Sequence, residues 1–142
     1  MIKLQHSAVL LLLLCLLVLS GCFKEERWYT DSQVTAGKPL FEANCMACHG
    51  VKAAGLGDGW EEKLPGFPSE PPALDGSAHA WHHAMKALLY TIDKGGAPLG
   101  GKMPAFGDTL SKDEKLAIIA YFQNFWNDET YGIWKQVDEQ KQ

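Results

Sequence analysis

Apolar residues occur along this chain in three arrangements that predict different structures. The first is the unbroken run AVLLLLLCLLVL at residues 8–19. It holds 12 residues, fewer than the roughly 20 that a helix needs to span a bilayer. The second lies in residues 78–93 and the third is KDEKLAIIAYFQNFW at residues 112–126. Both of these predict helices, and the second has a single apolar stripe at helical spacing, made of Trp81, Met85, Leu88, Leu89 and Ile92.

Capping residues indicate where the helices begin and end. Ser77 is positioned to cap the start of the 78–93 helix, and Gly95 to end it in a left-handed turn. Ser111 and Glu114 form S-x-x-E, a capping box, at the start of the last helix. A further helix is predicted from about residue 35 to residue 44, with Pro39 tolerable only in its first turn.

The connections between these helices are rich in glycine and proline. Residues 50–76 and the stretch GGAPLGGKMPAFG predict loops. Such a long loop is unusual inside a compact domain unless something else fills the middle. There is no internal repeat and no alternation typical of strands, so the fold class is all-α. After Trp126 the chain becomes polar, although Tyr131, Ile133 and Trp134 are available to pack against the body.

The N-terminal segment has the features of an export signal. Lys3 precedes the apolar run and Ser-Gly-Cys follows it. The sequence LSGC, ending at Cys22, resembles the cleavage box of bacterial lipoproteins, in which this cysteine becomes lipidated. The alternative is an ordinary secretory signal with a chance cysteine. The expected organisation is a signal peptide (1–21), a tether (22–34), a domain (35–126) and a C-terminal extension (127–142).

Charge and cysteine count narrow the functional classes. Removal of the signal takes Lys3 from the 13 basic residues and leaves 12 against 17 acidic ones, a formal charge of −5. The chain also lacks a basic stripe, which argues against nucleic-acid binding. Of the four cysteines, Cys15 leaves with the signal and Cys22 is the lipidation candidate. Cys45 and Cys48 remain in an exported, oxidising setting.

The sequence Cys45-Met46-Ala47-Cys48-His49 carries the candidate chemistry. A structural zinc site needs a second ligand pair, which is absent. A thioredoxin-type motif needs a βαβ setting, and a Cys45–Cys48 disulfide would close too small a loop to constrain the unfolded chain. Covalent haem meets the requirements: the two cysteines share a helical face, His49 is available to the iron, and C-x-x-C-H is the haem c attachment signature. The haem would also supply the core that the long loops surround.

The chain resembles a bacterial class I, mono-haem cytochrome c of lipoprotein type over about residues 29–134. GKPLFEANCMACHG resembles the family's first helix and haem motif, with Gly37 and Phe41 as the residues that meet the last helix. IIAYF resembles that last helix, with Tyr121 in the matching aromatic place. The resemblance implies a cytochrome c fold of three to four helices around one covalent c-type haem.

The same resemblance implies the ligands. GGKMPAFGDTLS resembles the loop that supplies the distal methionine, here Met103. PPALDG matches the segment whose proline carbonyl braces the proximal histidine, which makes Pro72, or else Pro71, the brace. The other interpretation of Met103 is that it fills a gap in the core. This is disfavoured because Met103 lies in a Gly/Pro loop and not on the apolar stripe of a helix. Met85 lies on the stripe and is expected in the core.

Several other side chains have two interpretations. His79, His82 and His83 are rival iron ligands, and His82 and His83 are expected on the surface or beside the haem propionates. Trp60 and Trp81 either donate to a propionate or pack as ordinary aromatic residues. Five lysines in the haem-wrapping half form either a basic rim or an ordinary surface: Lys52, Lys63, Lys86, Lys94 and Lys102.

A histidine–methionine pair fills both axial positions of the iron and suits transfer of single electrons. The expected function is therefore that of a membrane-tethered, extracytoplasmic electron carrier and not an enzyme. Its partners are extracytoplasmic redox proteins or a membrane oxidoreductase. The alternatives are a peroxidase-like, gas-binding or sensor haem protein with a displaceable Met103, and a cytochrome subunit of a larger oxidoreductase complex.

Overall fold

The computed structural model describes residues 25–141. The expected signal peptide and the lipidation candidate Cys22 lie outside the described residues. Within them the chain forms six α-helices and no strands, which confirms the all-α class, and four of the six are longer than a single turn. They are α1 (Asp31–Asn44), α2 (Met46–His49), α3 (Trp60–Lys63), α4 (Met85–Lys94), α5 (Lys112–Gln123) and α6 (Asp128–Gln140). Short 3-10 turns lie at Val51–Ala53, His79–His82 and Ala97–Leu99.

Helix α1 begins earlier than the sequence prediction of about residue 35. Thr30 caps it, and a capping box joins Thr30 to Gln33. Pro39 therefore lies in the helix interior and not in its first turn. Its ring removes one backbone donor, and this loss is tolerated because the following turn is fixed by buried packing against α5.

The crossing of α1 and α5 is the most extensive helix–helix contact of the described residues. Gly37 is buried there, and a Cβ atom at this position would lie 1.9 Å from the carbonyl oxygen of Ala117. The Phe41 and Tyr121 rings pack with centroids 5.2 Å apart. The expected meeting of Gly37 and Phe41 with the helix of Tyr121 is confirmed. The capping box of Ser111 and Glu114 at the start of α5 is also confirmed.

The expected continuous helix over 78–93 is wrong in its first half. His79–His82 forms a 3-10 turn, His83 and Ala84 are extended, and α4 begins only at Met85. Ser77 caps neither element, since its hydroxyl and backbone N–H bond to the Asp75 carboxylate instead. The cap of α4 comes from α6: Asp138 Oδ1 accepts a hydrogen bond from the Met85 N–H at 2.6 Å. Gly95 ends the helix with a positive φ of 70°, but its ψ of −170° is not that of the left-handed turn that the sequence predicted.

Helix α6 and the segment before α1 pack together on one side of the body. Tyr131 and Trp134 are 1% and 3% exposed, whereas Ile133 is 40% exposed, so two of the three proposed packing residues are buried. The Arg27 guanidinium donates to the Asp128 carboxylate at 2.7 Å and lies 4.0 Å from the centre of the Tyr131 ring. Structure therefore begins within the segment that the sequence indicated as a tether.

None of the helices within residues 25–141 combines the length and apolar character that crossing a membrane requires.

Candidate functional site

A cavity of about 340 Å³ lies between α2, α4 and the two long loops. It brings together the side chains that the sequence singled out, although they come from segments far apart in the chain. Cys45, Cys48 and His49 line it from α2 and the residue before α2, and Met103 lines it from the loop after α4. Apolar residues from the other elements complete the wall: Leu74, Leu88, Ile92, Phe106 and Phe122.

The two thiols at the cavity are free and half-buried. The short turn between α1 and α2 holds them, because the Cys45 N–H bonds to the Phe41 carbonyl at 2.8 Å and the His49 N–H to the Cys45 carbonyl at 2.9 Å. Burial, with a smaller contribution from Cys48, raises the pKa of the Cys45 thiol to about 11. This thiol is therefore protonated at neutral pH.

The alternatives to haem find little support in this geometry. Cys45 and Cys48 are not joined as a disulfide. Across residues 25–141, no group of three or more His, Cys, Asp or Glu side chains is arranged to hold a metal ion. The zinc interpretation therefore has no ligand set in the described part of the chain.

His49 is 8% exposed and oriented by a backbone carbonyl. Its Nδ1 lies 2.8 Å from the oxygen of Pro72, and not of Pro71. A carbonyl oxygen only accepts, so Nδ1 carries the proton and Nε2 keeps its lone pair. Burial lowers the pKa of His49, and the hydrogen bond to Pro72 opposes this only in part, so the ring is neutral. A neutral imidazole fixed through one nitrogen is the form in which histidine ligates iron.

The loop after His49 is fastened to the segment that carries Pro72. Gly50 has φ 75°, and a Cβ atom there would lie 1.8 Å from the Gly55 carbonyl oxygen. The Gly55 N–H bonds back to the His49 carbonyl at 2.8 Å. The Ala53 carbonyl then accepts from Leu74 at 2.7 Å, two residues beyond Pro72. Glycine is required at position 50 because this turn closes directly behind the histidine.

The loop of Met103 is held against the end of α4. The Gly96 N–H bonds to the Met103 carbonyl at 2.9 Å, and a Cβ atom at Gly95 would lie 2.5 Å from the same oxygen. The Phe106 N–H bonds to the Ile92 carbonyl at 2.9 Å. Met103 is partly buried and packs against the core while facing the cavity. The two glycines therefore position Met103, a role that the sequence analysis assigned to neither.

The remaining candidates are placed differently. Met46 and Met85 pack against the core and do not line the cavity, as expected for Met85. Trp60 and Trp81 do not line it either, and Trp81 stacks on His82 with ring centres 3.7 Å apart. Among the five lysines considered for a basic rim, Lys102 alone lines the cavity, where it donates to the Gly66 carbonyl.

His79 and His83 line the cavity, whereas His82 does not. Both rings are exposed and their centres lie 5.6 Å apart. From the sequence, His82 and His83 were expected on the surface or beside the haem propionates, and no position was predicted for His79. Their spacing of four residues was not a usable signal, because His79–His82 forms a 3-10 turn and His83 is extended and not α-helical.

The donor set fits a haem of the c type. An apolar cavity presents two free thiols one helical turn apart, an imidazole held through Nδ1 and a thioether on a separate loop. In the chemistry of cytochromes, groups of these kinds serve as a vinyl-reactive pair, a proximal ligand and a distal ligand.

Comparisons with known proteins identify the family. Residues 32–122 match the family described as cytochrome c oxidase, cbb3-type, subunit III. The cbb3-type cytochrome c oxidase subunit FixP of Sinorhizobium medicae (strain WSM419) is 32% identical over 94 residues, which are 62% of this chain and 28% of FixP. Cytochrome c6 of Tetradesmus obliquus is 32% identical over 91 residues, which are 64% of this chain and 89% of that protein. No solved structure gives a significant match. The matched residues span the thiols, the imidazole and the methionine of the cavity, and the chain belongs to the cytochrome c family, within the group described as cbb3-type cytochrome c oxidase subunit III.

Proposed function

We propose that this protein is an extracytoplasmic carrier of single electrons that holds one haem c through thioethers at Cys45 and Cys48. Membership of the family implies haem c itself. The proposal depends most on one observation: His49 is fixed by Pro72 at 2.8 Å on the same cavity that contains both free thiols and Met103. His49 Nε2 and the Met103 sulfur would hold the iron of that haem.

The haem, when bound, supplies an iron that alternates between ferric and ferrous states. The polypeptide supplies the side chains and the apolar wall that limit structural change during this exchange of electrons. Met103 would ligate the iron in place of oxygen or peroxide, and its thioether would favour the reduced state. The Pro72 carbonyl holds the His49 ring in one orientation, and the apolar wall excludes water. Fixed ligands require little rearrangement when the oxidation state changes, which suits transfer of one electron.

Substitution of Met103 tests the ligand assignment. In Met103→Ala we expect the weak red band of methionine–iron charge transfer to disappear from the ferric spectrum. High-spin ferric signals and rapid carbon monoxide binding should appear, because the sixth position is open. Met85→Leu is the matched control, since Met85 packs against the core away from the cavity.

Two outcomes contradict this part of the proposal. One is an unchanged spectrum in Met103→Ala. The other is a wild-type protein that is already high-spin and binds carbon monoxide rapidly at neutral pH. The second result favours the gas-binding or peroxidase-like alternative, in which Met103 leaves the iron.

Membrane attachment through Cys22 is a separate part of the proposal. It is supported by the sequence alone, namely the apolar run at 8–19 followed by LSGC. Cys22→Ser should release soluble, still-red protein from the membrane fraction, whereas Cys15→Ala, within the signal, should leave it attached. Retention of the Cys22 variant on the membrane contradicts lipid anchoring at this residue.

A second candidate function is that of a cytochrome subunit in a larger oxidoreductase. The family match and the likeness to FixP, itself named as an oxidase subunit, favour it. Purification of the intact chain in mild detergent distinguishes the two. Stable co-purification with an oxidoreductase supports the subunit, and a free red protein supports the mobile carrier.

A further inference from the structure

We propose that His79 and His83 form a proton-binding site at the cavity whose occupancy is coupled to the electron that the protein carries. The proposal depends on the proposed function, since it requires a redox-active haem in the cavity. It assigns a role to two side chains other than the proposed ligands His49 and Met103.

The two imidazoles lie on the rim of the cavity. Both line it together with His49 and Met103, yet both are exposed, so bulk water reaches them. Ala80 and Ala84, at 5% and 2% exposure, fix the turn beneath them. The pair therefore lies where a change of charge inside the cavity alters its electrostatic energy. It also exchanges protons freely with solvent.

Helix α6 holds this part of the wall in place. Trp134 donates from Nε1 to the His83 carbonyl at 3.0 Å. Asp138 caps the neighbouring Met85 N–H at 2.6 Å. Helix α6 lies beyond residues 32–122, the part of the chain that matches the family.

The charges that face the pair come from several elements. His82 belongs to the same turn, Lys141 lies at the end of α6, and Asp138 is bound to the residue that begins α4. Glu70 and Lys102 line the same cavity from the two loops. Burial and the positive charges of His79, Lys141 and His82 lower the pKa of His83. His83 therefore holds its proton less tightly than an ordinary imidazole and has capacity to take one up.

The coupled step balances. One electron arrives from a redox partner and reduces ferric to ferrous iron, which lowers the charge in the cavity by one. An imidazole nitrogen of the pair then takes a proton from bulk water, and oxidation returns both. Raising the pH removes positive charge from the rim and so disfavours the electron. The midpoint potential should therefore fall as pH rises through the region in which histidine side chains lose their proton.

The test is a redox titration of the holoprotein from about pH 5 to pH 8. We expect the ferrous protein to bind the proton about two- to tenfold more tightly than the ferric protein, since both rings are partly screened by solvent. Tenfold corresponds to a fall of about 59 mV. The slope should vanish in a His79→Gln/His83→Gln double variant and persist in His82→Gln, whose ring is exposed but outside the cavity.

An NMR titration of the imidazole resonances gives a second measurement on the unaltered protein, with different pKa values expected in the two oxidation states. A potential that does not vary with pH overturns the proposal, as does a slope that survives in the double variant or an imidazole titration that is identical in both states. The red methionine–iron band, recorded at each pH, tests the proposed function separately. If the band is present and the midpoint potential does not change with pH, only the proposed proton site is contradicted.

Discussion

Gly37 of α1 and Ala117 of α5 approach so closely that no Cβ atom fits between them. A Cβ at position 37 would lie 1.9 Å from the Ala117 carbonyl oxygen and 3.0 Å from the Tyr121 Cβ. One turn later, Phe41 is fully buried against Tyr121. Helix α1 leads directly into Cys45 and Cys48, so this crossing fixes the direction from which the thiols reach the cavity.

Gly37→Ala should therefore lower the free energy of unfolding, by about 1–3 kcal/mol, because the backbones must move apart to admit the methyl group. Urea unfolding followed by circular dichroism measures it. Gly132→Ala is the matched control: it lies inside α6 with nothing within 4 Å, and there alanine should raise stability by about 0.4–1 kcal/mol. Equal effects at the two positions would contradict the close crossing.

The cap of α4 gives a second test. Asp138→Ala should lower the free energy of unfolding by about 0.5–2 kcal/mol, since the first N–H of α4 loses its partner. Ser77→Ala, at the position that the sequence favoured as a cap, should cost less, because its hydroxyl contacts only the exposed Asp75 turn. A larger loss for the serine variant would mean that Ser77 and not Asp138 stabilises the start of α4.

The sequence predicted the parts of this structure that depend on local spacing. Cys45 and His49 lie one helical turn apart, and Ser111 and Glu114 form a capping box that spans four residues. The meeting of α1 with α5 was accessible through the family resemblance. The start of α1 was missed although its signal was present, since Thr30 and Gln33 form the same kind of capping pattern.

Other features had no local signal. The break at His83 and Ala84 is stabilised by Trp134 and Asp138, which lie about fifty residues further along the chain. The low helix propensity of proline predicted that Pro39 would not lie inside a helix. Tertiary packing around Gly37 stabilises α1 in spite of this low propensity. The placement of His79 and His83 on the cavity follows from that break, so one sequence alone did not reveal it.

Acid stability tests the link between α4 and α5. The Lys115 ammonium, on a side chain with 10% exposure, contacts the Asp93 carboxylate, and this hydrogen bond lowers the pKa of Asp93 below its ordinary value of 3.8. A lowered carboxyl pKa stabilises the fold fully above about pH 3.8 and loses its effect as pH falls through the folded value. Below pH 4, stability should fall more steeply in wild type than in Asp93→Asn. The exposed Asp108→Asn should behave as wild type, and parallel curves for wild type and Asp93→Asn would contradict the link.

The mass of the exported, mature protein under denaturing conditions tests the central claim most directly. Thioethers at Cys45 and Cys48 survive denaturation, so the account predicts the mass of the processed polypeptide, with its lipid, plus one haem. Replacing both cysteines with alanine should remove that increment. A mature wild-type protein with no haem increment would contradict the account.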